Sequence, residues 1–422
     1  MYVLNKHYLI QLSLVIALLF LAFTNLIAFE IGRVSFSLYV VVGFLFIVLI
    51  SFLRVKIPPI ITGLPSLIFL YILIASAFNI SAFRITSVIY SFLFIIYFIY
   101  LTYYSKKYLP VEGFLKALKC IIVFFFFTLI FSQLIVLFDL QELHRPEGYF
   151  QSTGQLGIQY NHITNTYRFH SLSSEPSYAA LVVIIAFAAL NELIYEKRKL
   201  VVYFLMLLYM ITFFKSSIGY IALALLVFGQ IRFSKKHLTI FLLLIFTGSI
   251  LFFFTNLGGR GVERVRDVVF LFFSFKGNFI HELNLIDSSA HARIGPFVRY
   301  IQQINLLDYH SYIGYGASSS EQFFTKIIYP EEWNSNLVFR PPFFPGFLYD
   351  YGIIGILLVG VFLWRQVKNQ SLFFKLTLLI ILLNSNFNTQ LLWFFVIILV
   401  LTGFYIKTIS EKRRDEWYIS KL

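Results

Sequence analysis

Twelve stretches of this chain are long, apolar and almost free of charge. They are approximately Tyr8 to Phe29, Val34 to Leu53, Pro59 to Ile80, Ile85 to Tyr104, Ala117 to Phe138, Pro176 to Tyr195, Leu200 to Phe214, Ser216 to Ile231, His237 to Phe254, Gly346 to Trp364, Ser371 to Ser385 and Thr389 to Ile406. A bilayer's hydrocarbon core of roughly 30 Å is crossed by about 20 residues of helix, because a helix satisfies its own backbone hydrogen bonds where water is absent. The repetition of such runs predicts an all-α polytopic membrane protein of about 12 transmembrane helices, residues 1–422 forming a single membrane domain. Only 13% of the residues are charged, about half the share in soluble domains, and 59% are hydrophobic, more than a water-soluble globule can cover. The first run is too long for a signal-peptide core and lacks a small-residue cleavage site, so it reads as a retained span with a cytoplasmic N-terminus.

The net charge of +14 raises the question of nucleic acid. Its distribution answers otherwise. With the N-terminus inside, the cytoplasmic segments hold 20 of the 34 Lys and Arg residues, and the four short outer connections hold only Arg33, Arg84 and Lys215. That is the positive-inside pattern for an even number of spans with both termini cytoplasmic. The lone cysteine, Cys120, sits in an apolar run and excludes a disulfide framework or a Cys-based zinc site.

Two outer segments, 139–175 and 255–345, are longer than connectors require, which points to function. In the second, Gly261 to Phe275 places Val262, Val265, Val269 and Phe272 on one stripe, as in a helix lying on the membrane surface. A second amphipathic helix is expected over Pro296 to Leu307, opened by Gly295-Pro296. The spans themselves hold almost no ionisable residue: Lys375 lies near an inner end and Asp350 near an outer one. Ion-coupled transport needs such groups near the midplane, so chemistry is expected at the outer surface, on lipid-linked substrates.

Three stretches stand out. Residues 167–177 bring Arg168, His170 and Glu175 to the mouth of a span opened by Pro176, although Ser174 or Glu175 there also suits simple helix capping. Residues 292–296 carry Arg293, followed later by Gly314-Tyr315-Gly316, a flexible turn. Finally Arg340-Pro341-Pro342 precedes a span containing Gly352-Ile353-Ile354-Gly355, whose glycines suggest close helix packing. His281, His291 and His310 lie outside the spans as candidate acid–base groups, each alone more often structural or solvated. No Asp-x-Asp, His-Glu-x-x-His or Walker glycine loop is present, which leaves a metal-dependent nucleotide-sugar transferase or a zinc hydrolase without a motif.

In this order and between these spans, the three stretches resemble the O-antigen polymerase and O-antigen ligase superfamily, often called Wzy and WaaL. The resemblance implies a GT-C-like arrangement and transfer of a glycan from an undecaprenyl-diphosphate-linked donor to a sugar hydroxyl on a second lipid-linked unit, without a cofactor or metal. It implies residence in the bacterial inner membrane, with membrane lipid and a chain-length regulator as partners and no nucleic acid. Arg168 matches the first-segment arginine and Arg293 the second, while Glu175 stands where the family has an acidic or amide residue before proline. A ligase histidine ahead of the Gly-x-x-Gly span is replaced here by Arg340-Pro341-Pro342, which favours polymerase over ligase. The lipid diphosphate is an activated leaving group, so the reaction needs stabilisation of developing negative charge, suited to arginine, and a base for the acceptor hydroxyl. Arg168 and Arg293 are expected on the diphosphate and Glu175 as base with His170 in reserve. Arg340, His170, Arg299 and Tyr315 are the expected substrate contacts. A flippase or exporter of the same lipid-linked glycans is the reading from another class.

Overall fold

The computed structural model describes residues 6–24, 27–31, 34–53, 63–79, 84–140, 158–161, 166–230, 267, 270–271, 279–286, 288–328 and 339–419. The chain is helical. It comprises α1 (Lys6–Ala22), α2 (Leu38–Phe52), α3 (Leu64–Ala77), α4 (Ile85–Tyr108), α5 (Val111–Leu137), α6 (Pro176–Leu193), α7 (Val201–Phe214) and α8 (Ser217–Gln230). After these come α9 (Phe279–Ile286), α10 (Ser288–Gln303), α11 (His310–Ile313), α12 (Ser319–Ile328), α13 (Phe343–Val367), α14 (Leu372–Asn384) and α15 (Gln390–Ile419).

Among the described residues, five helices, α4, α5, α6, α13 and α15, are long and apolar enough to cross a membrane, and α1, α2, α3, α8 and α14 are shorter apolar helices. Around the bundle, large apolar side chains such as Phe44, Phe52, Phe127, Phe131, Leu357 and Trp364 are exposed. An apolar outer surface of that extent belongs against lipid, and the protein is a helical membrane protein. The expected span His237 to Phe254 lies outside the described residues, as does the expected surface helix Gly261 to Phe275 apart from Asp267, Phe270 and Leu271.

At the centre stand α6 and the first half of α15. Every residue of α6 from Ala179 to Asn191 is buried, and α15 is buried without a break from Leu391 to Leu399. A helix that is apolar all round is a core element. Its alanines allow close approach: a Cβ on Gly219 of α8 would stand 2.7 Å from the Ala180 Cβ.

Hydrogen bonds sort the helix ends into two layers. In one, Gln390 Nε2 donates to the Leu21 carbonyl at 2.8 Å, Tyr178 Oη to the Asn384 carbonyl at 3.0 Å, and Phe343 N to the Ser385 carbonyl at 2.7 Å. In the other, Tyr405 Oη donates to the Leu109 carbonyl at 2.8 Å and Gln11 Nε2 to the Tyr108 carbonyl at 3.1 Å. The first layer carries both long segments and is called the loop-bearing end below.

The helical class stands, but three details of the expectation need correction. Two short hairpins accompany the helices: Ile27–Ile31 (β1) pairs antiparallel with Val34–Ser37 (β2), and Ile158–Asn161 (β3) with Thr166–Phe169 (β4). The runs expected as helix through Phe29 and from Val34 therefore stop at Ala22 and resume at Leu38. Only Gly32 and Arg33 separate the paired Ile31 and Val34, the spacing of a tight hairpin. Second, α10 begins at Ser288, so Pro296 lies inside it rather than at its start. Burial of His291, Gly295, Pro296 and Tyr300 shows that one face packs inward, which outweighs the hydrogen bond the proline forgoes.

Third, Gly352 is more than a packing glycine. Its φ of 63° and ψ of −170° break α13. The break turns successive carbonyls toward the neighbouring chain: Tyr349 O accepts from Tyr315 N at 3.0 Å and Asp350 O from Gly316 N at 2.9 Å. Tyr351 O accepts from Tyr71 Oη of α3 at 2.8 Å. Irregular backbone survives inside a membrane bundle only when its polar groups are paired within the protein, and residues 312–316 supply the partners. Tyr71→Phe should leave the Tyr351 carbonyl without this donor and lower stability by about 1–2 kcal/mol, measured by thermal unfolding in detergent. An unchanged transition would show that the hydroxyl is dispensable.

Candidate functional site

The described polar groups of residues 305–321 converge at the loop-bearing end, where α11 and α12 meet α13. Asp350, on the first half of α13, accepts from Ser318 N at 3.1 Å through Oδ2 and from Ser320 N at 2.7 Å through Oδ1. These are N–H groups that the start of α12 leaves without intrahelical partners, so a carboxylate from a neighbouring helix caps it. The ends of α3 and α4 secure the same turn: Asn79 Nδ2 donates to Gly314 O at 3.2 Å and Arg84 N to Ala317 O at 3.0 Å.

In the first turn of α12, Glu321 is largely buried between two guanidiniums. Arg84 Nη1 lies 2.6 Å from Oε2, and Arg340 Nε 3.7 Å from Oε1. Arg84 makes the close pair, and Arg340, at the longer distance, keeps 74% of its side chain exposed. An exposed guanidinium is suited to an anionic group such as a phosphate.

Beside this cluster runs a column of rings. His310 stacks on Tyr315 at 4.4 Å, Tyr315 on Tyr349 at 4.5 Å, and Tyr349 on Phe323 at 4.5 Å, all with planes within 21° of parallel. Phe323 lies two residues from Glu321, so α12 joins the ring column to the charged cluster. Tyr300 of α10 meets Tyr349 edge-on at 5.8 Å. Burial raises the Tyr315 hydroxyl above its ordinary pKa, reinforced by its hydrogen bond to Asp308, so it remains a neutral donor.

The sequence-selected residues fall into different surroundings. Arg340 and Tyr315 are brought together here. Arg299 is exposed on α10. Burial, followed in size by Arg299, pushes the neighbouring His291 imidazole below its ordinary pKa, which favours a neutral structural ring. Arg168, on β4, pairs in register with Gln159 of β3, and Arg293 lies within α10, but both side chains are outside the described residues.

His170 is buried, with Nδ1 against the Ser173 carbonyl. Glu175 occupies the N-cap position of α6 without a capping bond and accepts from Ser177 Oγ at 3.1 Å. The turn between them is tied to α1 by Thr24, whose Oγ1 lies 2.8 Å from Ser173 Oγ and accepts from Ser174 N at 3.2 Å.

Sequence reasoning passed over Glu321, Arg84, Asp308, Tyr349 and the capping role of Asp350. Two signals were available: Ser318-x-x-Glu321 is a capping-box spacing, and an aspartate at the end of an apolar span needs partners. Comparison with known families finds no family model that matches the chain, and comparison with curated proteins finds no match.

Proposed function

We propose that this protein is a glycosyltransferase of the bacterial cytoplasmic membrane, with a GT-C-like arrangement and both termini cytoplasmic, that polymerises undecaprenyl-diphosphate-linked oligosaccharide repeat units on the outer face. One observation carries the reading: the Arg84–Glu321–Arg340 cluster and the ring column join on α12 at one end of a bundle whose spans are otherwise nearly uncharged. The exposed Arg340 guanidinium offers donors to a diphosphate, and the surrounding apolar surface offers a path for the polyprenyl chain.

In direct displacement, the acceptor oxygen bonds to the anomeric carbon while the carbon–oxygen bond to the diphosphate breaks, and the configuration inverts. Arg168 and Arg293 remain the proposed diphosphate ligands and Arg340 a third.

In cells that depend on this chain for surface polysaccharide, Arg168→Lys or Arg293→Lys should reduce long chains about 100-fold on a gel while single-repeat units persist. Normal long chains in both variants would remove these site assignments. Loss of single-repeat units as well would replace the polymerase with an exporter.

A further inference from the structure

One pair of titratable side chains, outside every stretch that carried the family resemblance, is held as a base requires. Asp308 Oδ1 accepts from the His310 backbone N–H at 3.1 Å and lies 3.0 Å from His310 Nδ1. Its Oδ2 accepts from the Tyr315 hydroxyl at 3.1 Å. The backbone N–H of His310 is the largest of several influences that hold this carboxyl below the usual aspartate range, so it stays ionised at neutral pH. A neutral imidazole facing an ionised carboxylate through Nδ1 carries its proton there and presents the Nε2 lone pair.

The ring is also fixed in orientation. It packs against Tyr309 at 3.9 Å and Tyr315 at 4.4 Å. Nε2 has no hydrogen-bond partner among the described residues, and the side chain keeps 22% exposure. Two rings therefore pack on the imidazole, one nitrogen is engaged, and the other has no partner among the described residues. Leu306, Leu307 and Tyr309 beside it are exposed, Leu307 almost completely, which suits an acceptor whose polar head is joined to a lipid.

We infer that His310 is the general base that deprotonates the acceptor hydroxyl, with Asp308 as its positioning residue; the acceptor, a lipid-linked sugar alcohol, rests on the glycan-transfer reading above. The hydroxyl proton passes to Nε2 as the oxygen bonds to the anomeric carbon, the electron pair of the broken bond leaves with the lipid diphosphate, and the imidazolium returns its proton to water. No further reactant is required. A purely structural Asp308 would need only its bond to the backbone N–H, which caps the short α11. Neither the imidazole at Nδ1 nor the tyrosine at Oδ2 is needed for that. Other ionisable groups around the segment are engaged elsewhere: Asp350 with Ser318 N and Ser320 N, and Tyr300 and Tyr349 with one another through their rings.

The test uses the full-length protein in nanodiscs with ¹⁵N-labelled histidine, alongside extension of purified lipid-linked repeat units into a ladder. The ring of His310, assigned by its disappearance in His310→Gln, should show the Nδ1–H tautomer, and Asp308→Asn should shift it toward Nε2–H. His310→Gln should lower extension about 10²–10⁴-fold with thermal unfolding unchanged. Asp308→Asn should lower the rate of extension, by less than His310→Gln does. An Nε2–H tautomer in the wild type, or full extension by His310→Gln, overturns the assignment and leaves glycan transfer standing. No ladder from the wild-type protein overturns the glycan reading and this acceptor with it, whatever the tautomer.

Discussion

Gly352→Ala should unseat the whole 310–320 segment from the bundle. The residue sits at φ 63° and ψ −170°, a region that essentially only glycine populates, and an added Cβ would lie 2.3 Å from the Tyr312 carbonyl oxygen and 2.7 Å from Ile313 N. These are backbone atoms, so no side chain can swing aside. Gly314→Ala meets the reciprocal obstacle at φ 90°, with its Cβ 2.2 Å from the Asp350 carbonyl oxygen. Relief requires the two chains to separate, and separation strands the Tyr349 and Asp350 carbonyls that now accept from Tyr315 N and Gly316 N. We expect each substitution to cost about 3 kcal/mol or more. The control lies in the same helix: a Cβ on Gly360 would meet nothing within 4 Å, so Gly360→Ala should be neutral or stabilise by up to about 1 kcal/mol. Thermal unfolding in detergent, with limited proteolysis across residues 305–328, separates the two cases. Equal behaviour of Gly352→Ala and Gly360→Ala would rule out direct backbone contact.

That contact explains which parts of the molecule were legible in the sequence. The approximate positions of the described bundle helices followed from hydropathy, because a helix in lipid satisfies its backbone internally and advertises this as an uninterrupted apolar run. Pro176 opens α6 as read, and Arg340 precedes α13 as read. The pairing of Ile27–Ile31 with Val34–Ser37 was concealed because each strand is short and adjoins a long apolar helix, so its few residues read as the end of a neighbouring span. The start of α10 at Ser288 was concealed because the Gly295-Pro296 pair is a locally convincing opening, while its burial against α12 and α13 is a tertiary fact.

The site shows the same division. Arg340 and Gly314-Tyr315-Gly316 were recognisable singly, but Arg84, Glu321 and Arg340 are separated by up to 256 positions and meet only through the fold. His310 read as one of three solitary histidines until the turn closed on Asp308.

Asp350 tests whether α12, and with it the charged cluster, is held from a neighbouring helix. Both carboxylate oxygens accept backbone N–H groups, at 3.1 Å from Ser318 and 2.7 Å from Ser320. Asp350→Asn keeps the shape but turns one acceptor into an NH₂ group facing an N–H. Loss of that charge-assisted bond and the donor–donor conflict should together cost about 2–3 kcal/mol. Asp350→Ala leaves both N–H groups unpaired and should cost at least as much. The loss should be local before it is global: amide exchange at residues 318–320 accelerates first, because the N-terminal turn of α12 loses its cap. Glu321 lies in that turn, so its carboxylate should no longer stay 2.6 Å from Arg84 Nη1 and 3.7 Å from Arg340 Nε. Glycan extension, where it is measured, should fall in the same variant. Glu321→Gln separates the two effects: it removes the charge shared by the guanidiniums while leaving the Asp350 cap in place. Fast exchange at 318–320 in Asp350→Asn but not in Glu321→Gln would place the anchor at the aspartate, whereas equal exchange in both would place it in the arginine cluster.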